Sequence, residues 1–238
     1  IVPPIAAMLT IPNFVEIIKN ADNSILGYTF LFGLLWGICG LTYGLGVRYL
    51  GVSLGSSIIL GLSMVFVSLM PSIYYFFNKA EGKHGIDYFF TTQSGICILL
   101  GLLVCVIGVY LCGKAGVSKE KHLSSLSSES KSDYNFGLGI VVAIVSGILS
   151  ACFNFGIEAG KPMADVANTL WKTANPNQGE FLYQNNVTYI VILWGGFTTN
   201  FLWCLYLLIK NKTFSDYTKS ETPKAKNFLL CALAGTTW

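Results

Sequence analysis

Charged residues are scarce in this sequence. Only 11% of its 238 residues are charged and 53% are hydrophobic, whereas a soluble domain averages roughly 25% charged residues. A chain so poor in charge cannot give a soluble core its polar shell. The composition therefore excludes a disordered chain, a nucleic-acid-binding module and an ordinary cytosolic enzyme, and it indicates an integral membrane protein in a lipid bilayer.

The sequence also lacks the spacings of Cys and His residues that are typical of metal sites and disulfide frameworks. The seven cysteines all lie within uncharged stretches, none forms a CxxC pair, and neither His84 nor His122 has a cysteine beside it. Metal ligation needs such residues at short, regular spacing. We therefore predict no metal and no cofactor, and we interpret the cysteines as small apolar side chains inside helices.

Long uncharged stretches dominate what is present. A helix needs about 20 apolar residues to cross a hydrocarbon layer of about 30 Å. Five stretches exceed that length and predict five transmembrane helices: 23–47, 49–78, 88–113, 134–157 and 181–209. The apolar stretches at the two ends, 1–15 and 227–238, are too short to cross. We expect the sequence to be part of a longer chain, beginning and ending inside helices.

The basic residues between these stretches predict which way the helices run. Successive connections must lie on alternate sides of the membrane. Arg48 and the loops 114–133 and 210–226 carry ten Lys and Arg residues, whereas the alternate loops 16–22, 79–87 and 158–180 carry five. Because cytoplasmic loops are enriched in Lys and Arg, we predict that the first set is cytoplasmic. The run Ser118–Asp133 is rich in Ser, Lys and Glu and is typical of a flexible linker.

Small residues predict how the helices pack. Gly33, Gly37, Gly40 and Gly44 follow spacings of four, three and four, so they form a stripe on one face of a helix. Such stripes let membrane helices approach closely. We expect this helix to press against a neighbour along its length. The segment between Arg48 and Gly51 is so short that the flanking helices must form an antiparallel hairpin.

Uncharged polar and aromatic residues inside the predicted helices suggest a ligand. Trp36, Tyr43, Asn154 and Asn200 offer amides, a phenol and a broad ring, and a neutral polyol needs hydrogen bonds for its hydroxyls and flat apolar surface for its C–H face. We take these four as candidate substrate-binding residues. For any one of them, hydrogen bonding between helices is the commoner role.

Glu158 and Lys161 are a close acid–base pair beside a predicted helix. Their spacing of three would place them on one helix face, and Glu158 is a candidate for carrying a proton, because a carboxyl group can exchange one. The alternative is a solvated helix end closed by Gly160 and Pro162, and it is the more common arrangement.

Several segments of this sequence resemble the L-rhamnose–proton symporter family of the drug/metabolite transporter superfamily. The segment from Trp36 to Gly55 is similar to a helical hairpin of that family, with Gly37, Gly44 and Arg48 among the matching positions. Three further segments match in order: Ile11–Phe14, Ala159–Met163 with Lys161 and Pro162, and Leu233–Trp238. The resemblance implies an all-α polytopic transmembrane bundle of ten helices in two repeats. Residues 1–113 would then run from the end of helix two to helix five of the first repeat, and 114–133 would be a cytoplasmic linker. Residues 134–238 would begin the second repeat and stop in its third helix.

The same resemblance implies a secondary active transporter of the bacterial inner membrane. Its expected partners are L-rhamnose and a proton, which it would move together by alternating access rather than by enzymatic catalysis. Two alternatives stay open: a related carrier for another sugar or small metabolite, and, less favoured, an integral-membrane enzyme. A structural bundle or a receptor subunit would not need polar residues inside its helices.

Overall fold

The computed structural model describes residues 2–79, 84–125, 135–217 and 223–237, and these residues form helices and the loops between them. The helices in chain order are α1 (Val2–Thr10), α2 (Phe14–Asn20), α3 (Asn23–Leu50), α4 (Val52–Phe77), α5 (Tyr88–Thr91), α6 (Gln93–Ser125), α7 (Phe136–Ala159), α8 (Lys161–Ala174), α9 (Asn186–Asn211) and α10 (Lys224–Thr237). A short 3₁₀ helix, Thr213–Tyr217, follows α9.

Five helices in the described part of the chain are long and apolar enough to cross a membrane. They are α3, α4, the first 26 residues of α6, α7 and α9. Each overlaps most of one of the five long uncharged stretches, although α6 and α9 begin five residues later than the stretches at 88–113 and 181–209. Only a helix satisfies its own backbone donors and acceptors along such a stretch in lipid. The predicted fold class, an all-α polytopic membrane bundle, is confirmed.

A single residue separates α3 from α4. Gly51 has φ 86°, a backbone conformation that residues with a Cβ atom rarely adopt. The two helices stay together beyond the turn, because the Tyr43 hydroxyl lies 2.7 Å from the Ser56 hydroxyl. At their crossing, a Cβ atom on Gly55 would lie 3.0 Å from the Gly46 carbonyl oxygen. The predicted antiparallel hairpin is confirmed.

Helix α3 lies at the centre of the bundle and packs against α4, α7 and α9, while α6 packs mainly on the far side of α4. Contacts between α3 and α7 run along both helices. Near the start of α3, the rings of Phe32 and Phe155 lie 5.9 Å apart. Near the end of α3, the backbone N–H of Asn135 donates to the Tyr49 carbonyl at 3.1 Å. Helix α7 is therefore antiparallel to α3.

The same contacts define two ends of the bundle. Helices α3 and α9 begin at one end of the bundle, which we call the lysine-poor end. Helices α4 and α7 end there. Helices α3, α6 and α9 end at the opposite, lysine-rich end, where Arg48, Lys114 and Lys210 lie. This division matches the two predicted sets of loops. That the lysine-rich end is cytoplasmic stays a prediction.

Three short helices, α1, α2 and α8, form a second packed cluster at the lysine-poor end. Met163 and Ala167 of α8 are buried among Phe14 and Ile17 of α2 and Val187 of α9. The sequence analysis treated 158–180 only as a connecting loop. The α8 segment is mostly polar, but its apolar residues recur at helical spacing on one face. Helix α8 therefore buries that face against neighbouring helices, and it is not one of the five spanning helices.

The flexible linker predicted for 118–133 needs correction in its first part. Helix α6 continues to Ser125, so residues 118–125 are helical. A Cβ atom on Gly116 would lie 2.7 Å from Leu54 Cδ2 of α4. Close packing of α6 against α4 therefore continues beyond Lys114, the first charged residue after the uncharged stretch. Residues 126–134 lie outside the described residues, and the proposed domain boundaries stay predictions.

Candidate functional site

The glycine stripe on α3 packs closely against glycines of α9 over part of its length. A Cβ atom on Gly37 would lie 2.8 Å from the Gly196 carbonyl oxygen, and one on Gly195 would lie 2.7 Å from the Leu34 amide nitrogen. A Cβ atom on Gly33 would lie closer still to the Ile192 carbonyl. The expectation of close packing holds at Gly33 and Gly37.

The expectation is wrong for the other end of the stripe. A Cβ atom on Gly44 would meet no described atom within 4 Å, and one on Gly40 would meet only the Asn200 amide group, at 3.8 and 3.9 Å. The physical reason is divergence of the two helices. They cross beside Gly37 and separate towards the lysine-rich end, so a straight stripe cannot remain in contact throughout.

Asn200 joins two helices in this structure. Its amide nitrogen donates to the Gly196 carbonyl of its own helix at 2.8 Å and to the Gly37 carbonyl of α3 at 3.4 Å. The neighbouring Thr199 hydroxyl donates to the Leu34 carbonyl at 3.0 Å. Both side chains hold α9 against the close-packed part of α3, which is the alternative role that the sequence analysis left open.

Trp36 and Tyr43 point into different helix contacts although they are two turns apart on α3. The Trp36 ring lies 5.1 Å from the Phe153 ring of α7 and packs over Gly196 of α9. Tyr43 lies further along α3, where it packs against α4 and the buried cluster around Leu50 and Ile58. The structure does not bring these two candidates together with Asn154.

Asn154 borders a large cavity between the last turns of α4 and α7. This cavity, which we call the aromatic cavity, has a volume of about 860 Å³ and lies at the lysine-poor end of the bundle. Its wall includes the rings of Phe32, Tyr74, Tyr75, His84 and Phe155. Its polar groups on α7 are Asn154 and Glu158, one helical turn apart on one face. No described residue hydrogen-bonds to the Asn154 amide.

Glu158 borders a second, smaller cavity as well. This polar cavity of about 280 Å³ lies between the end of α7 and the start of α8, and its lining includes Lys161, Asp165 and Glu180. The prediction that Glu158 and Lys161 share one helix face is wrong, because α7 ends at Ala159 and α8 begins at Lys161. Pro162 occupies the first turn of α8, where its missing N–H is tolerated.

Sequence reasoning missed the aromatic wall of the large cavity. Tyr74, Tyr75 and His84 were not singled out, although Pro71 inside an apolar run was a usable signal. A proline in a helix removes one backbone hydrogen bond and commonly marks a bend or a cavity in membrane proteins. His84 stacks on Tyr88 of α5, with ring centroids 4.1 Å apart. A Cβ atom on the next residue, Gly85, would lie 3.1 Å from Phe76 Cα, so this loop lies against α4.

Two other possibilities for a site are weaker. A third cavity of about 380 Å³ lies between α2 and α8, and Ile25 of α3 is the one described residue of its lining that belongs to a spanning helix. Among the described residues, no group of three or more His, Cys, Asp or Glu side chains is close enough to hold a metal ion. The aromatic cavity is therefore the candidate site.

A bundle of spanning helices with an open cavity between two of them is the architecture of a polytopic membrane protein with a small-molecule site. Comparison with known proteins gives the family. The family model described as L-rhamnose-proton symport protein (RhaT) matches residues 1–238, and the chain belongs to this family.

Relatives named L-rhamnose-proton symporter include those of Enterobacter sp. (strain 638), Escherichia coli (strain SMS-3-5 / SECEC) and Klebsiella pneumoniae (strain 342). Each is 34% identical over 241 residues, a match that covers 100% of this chain and 64% of the relative. This chain thus spans about two thirds of the length of these relatives. No solved structure matches it. The spans and the bacterial relatives indicate a multi-pass protein of the inner membrane.

Proposed function

We propose that this protein carries L-rhamnose together with a proton across the membrane, and that the sugar binds in the aromatic cavity. The observation that carries the proposal is the cavity itself, which combines aromatic walls with a small number of polar groups. Its volume of about 860 Å³ lies within the range of roughly 300–1,000 Å³ for small-molecule sites. Family membership supplies the sugar and the driving ion, because the relatives are named as L-rhamnose-proton symporters.

The chemistry of the wall suits a neutral deoxyhexose. Ring faces such as those of Phe32 and Tyr75 can pack against the C–H face of a pyranose. The Asn154 amide can both donate to and accept from a hydroxyl group. The Glu158 carboxylate can accept from two neighbouring hydroxyls. Of the four substrate-binding candidates, we retain Asn154. Trp36, Tyr43 and Asn200 instead stabilise contacts between the spanning helices.

Glu158 is our candidate for the coupled proton. It borders both the aromatic cavity and the polar cavity, so the polar cavity offers water a route to the carboxyl group without displacing a sugar. With the predicted topology, both cavities lie at the outer side of the membrane. A second conformation opening to the cytoplasm would then complete the transport cycle by alternating access.

Uptake by the purified protein in sealed vesicles tests the function. Radiolabelled rhamnose should accumulate when a proton gradient is imposed and should only equilibrate when the gradient is collapsed. Accumulation of a different sugar under the same conditions would favour the related-carrier alternative. Equal uptake with and without the gradient would refute proton coupling.

Two substitutions then test the site. Asn154→Ala should weaken rhamnose binding roughly five- to hundred-fold, because a hydroxyl loses its partner in a site built for it. Glu158→Gln should abolish uphill accumulation while preserving exchange of labelled for unlabelled sugar, since exchange needs no net proton movement. Asp165→Asn is the matched control, because Asp165 borders only the polar cavity. Uphill accumulation by Glu158→Gln would remove Glu158 from the coupling mechanism.

A further inference from the structure

The wall of the aromatic cavity opposite Asn154 contains a proline within a transmembrane helix. Pro71 lies inside α4, six residues before the helix ends at Phe77, and both Pro71 and Val67 border the cavity. In a regular helix the amide of residue 71 would donate to the carbonyl of residue 67. Proline has no amide hydrogen, so that bond cannot form.

The next carbonyl group of α4, that of Ser68, has a hydrogen-bond donor. One residue further along, the Ser72 hydroxyl donates to the Ser68 carbonyl at 3.1 Å, the carbonyl that would also receive the Ser72 amide. The Val67 carbonyl is therefore the acceptor that Pro71 leaves without its helical donor. A carbonyl without a donor in a membrane costs free energy unless another donor reaches it.

The position of this carbonyl relative to the cavity follows from helix geometry. A helical carbonyl points along the axis towards the residue four positions later. Residue 71 borders the aromatic cavity, so the carbonyl of Val67 points towards the same stretch of wall. Across the cavity stand Asn154 and Glu158 of α7. A sugar between the two helices would thus meet side-chain groups on one side and a backbone acceptor on the other.

We infer that Pro71 keeps the Val67 carbonyl available as a backbone acceptor for one hydroxyl group of the transported sugar. This inference rests on the proposed function for the identity of the ligand. Pro71 is then a positioning residue: it makes no polar contact itself, and it determines which atom does. The fixed backbone also holds the acceptor at one distance from α7, which favours one arrangement of hydroxyls over another.

Pro71→Ala tests the inference, because alanine supplies the missing amide hydrogen and lets the helix occupy the Val67 carbonyl. Rhamnose binding by the purified protein should weaken roughly three- to ten-fold, the effect of losing one neutral hydrogen bond. The thermal stability of the sugar-free protein should stay the same or rise, since a helical bond is gained and a ring clash is removed. A purely structural proline would give the opposite change in stability.

A series of monodeoxy rhamnose analogues sharpens the test. One analogue, lacking the hydroxyl that bonds to Val67, should bind the original protein and Pro71→Ala equally, whereas rhamnose should distinguish them. Met70→Ala is the control, because it alters the same cavity wall without supplying an amide. Any change in affinity that it causes should be the same for rhamnose and for that analogue. Pro71→Gly supplies the same amide and should reproduce the loss, which keeps the test valid if the alanine variant folds poorly.

The two proposals fail in different ways. Equal rhamnose affinity for the original protein, Pro71→Ala and Pro71→Gly would overturn the role of the Val67 carbonyl and leave the transport function standing. A loss of the same size for every analogue would also overturn it, since no single hydroxyl would then depend on residue 71. Failure of the original protein to bind any sugar in this assay would refute the proposed function, and the inference with it.

Discussion

The close contact between α3 and α9 makes a quantitative prediction about Gly37. A Cβ atom there would lie 2.8 Å from both the Gly196 carbonyl oxygen and Thr199 Cβ. These are backbone atoms or atoms next to it, so they cannot move aside as a flexible side chain could. Gly37→Ala must therefore push α9 away from α3.

The cost can be worked out from three contributions. Overpacking of this kind costs about 1–3 kcal/mol. Separation of the helices also weakens the bonds from Thr199 to Leu34 and from Asn200 to Gly37, each worth about 0.6 kcal/mol in a membrane protein. Against this, alanine favours the helix over glycine by about 1 kcal/mol. The three together predict a loss of about 1–3 kcal/mol for Gly37→Ala.

Gly44→Ala is the matched control on the same helix. It receives the same helix-propensity gain, but its Cβ atom would meet no described atom within 4 Å. Thermal unfolding of both purified variants in the same detergent should place the Gly37→Ala transition below that of the original protein and the Gly44→Ala transition at or above it. Equal transitions for the two variants would refute the packing argument, and so would a lower transition for Gly44→Ala alone.

Three further predictions follow from other parts of the structure. In a variant without native cysteines, an impermeant thiol reagent applied to intact cells should modify Gln178→Cys and not Ser215→Cys; the reverse pattern would invert the topology. Asn200→Ala should lower the unfolding temperature and leave the rhamnose affinity of the folded protein unchanged, because Asn200 bonds to backbone carbonyls; a weaker affinity at unchanged stability would return Asn200 to the binding site. Met163→Ala should destabilise the protein by about 2–5 kcal/mol, whereas Val166→Ala on the exposed face of α8 should change unfolding by less than about 0.5 kcal/mol; equal effects would show that α8 does not pack as described.

The spanning helices could be predicted from the sequence because lipid imposes a simple rule. An uncharged stretch of sufficient length has one stable backbone conformation there, so α3, α4, α6, α7 and α9 follow from charge spacing alone. The hairpin at Gly51 follows equally, since no longer connection is available. The family could also be recognised, because its motifs are short and local.

The short helix α8 could not be predicted by the same rule. Its segment is too polar to span, so hydropathy marks it only as a loop, and it is stabilised by contacts with residues distant in sequence. The Trp171 ring stacks 5.3 Å from Phe181, and the Phe181 amide donates to Asn168 at 3.0 Å. Which segments meet in this way depends on the tertiary fold, and hydropathy along the sequence does not reveal it.

The candidate site shows the same division between local and tertiary information. The sequence by itself placed Asn154 inside a spanning helix and Glu158 beside the end of that helix, because an uncharged stretch of that length is helical in lipid. It could not determine which neighbouring helix each residue of α3 would face, so Trp36 and Tyr43 were grouped with Asn154 although they pack elsewhere. Only the tertiary structure decided that α4 and α7 leave a cavity beside Pro71, because a cavity is a property of the space between helices rather than of any one of them.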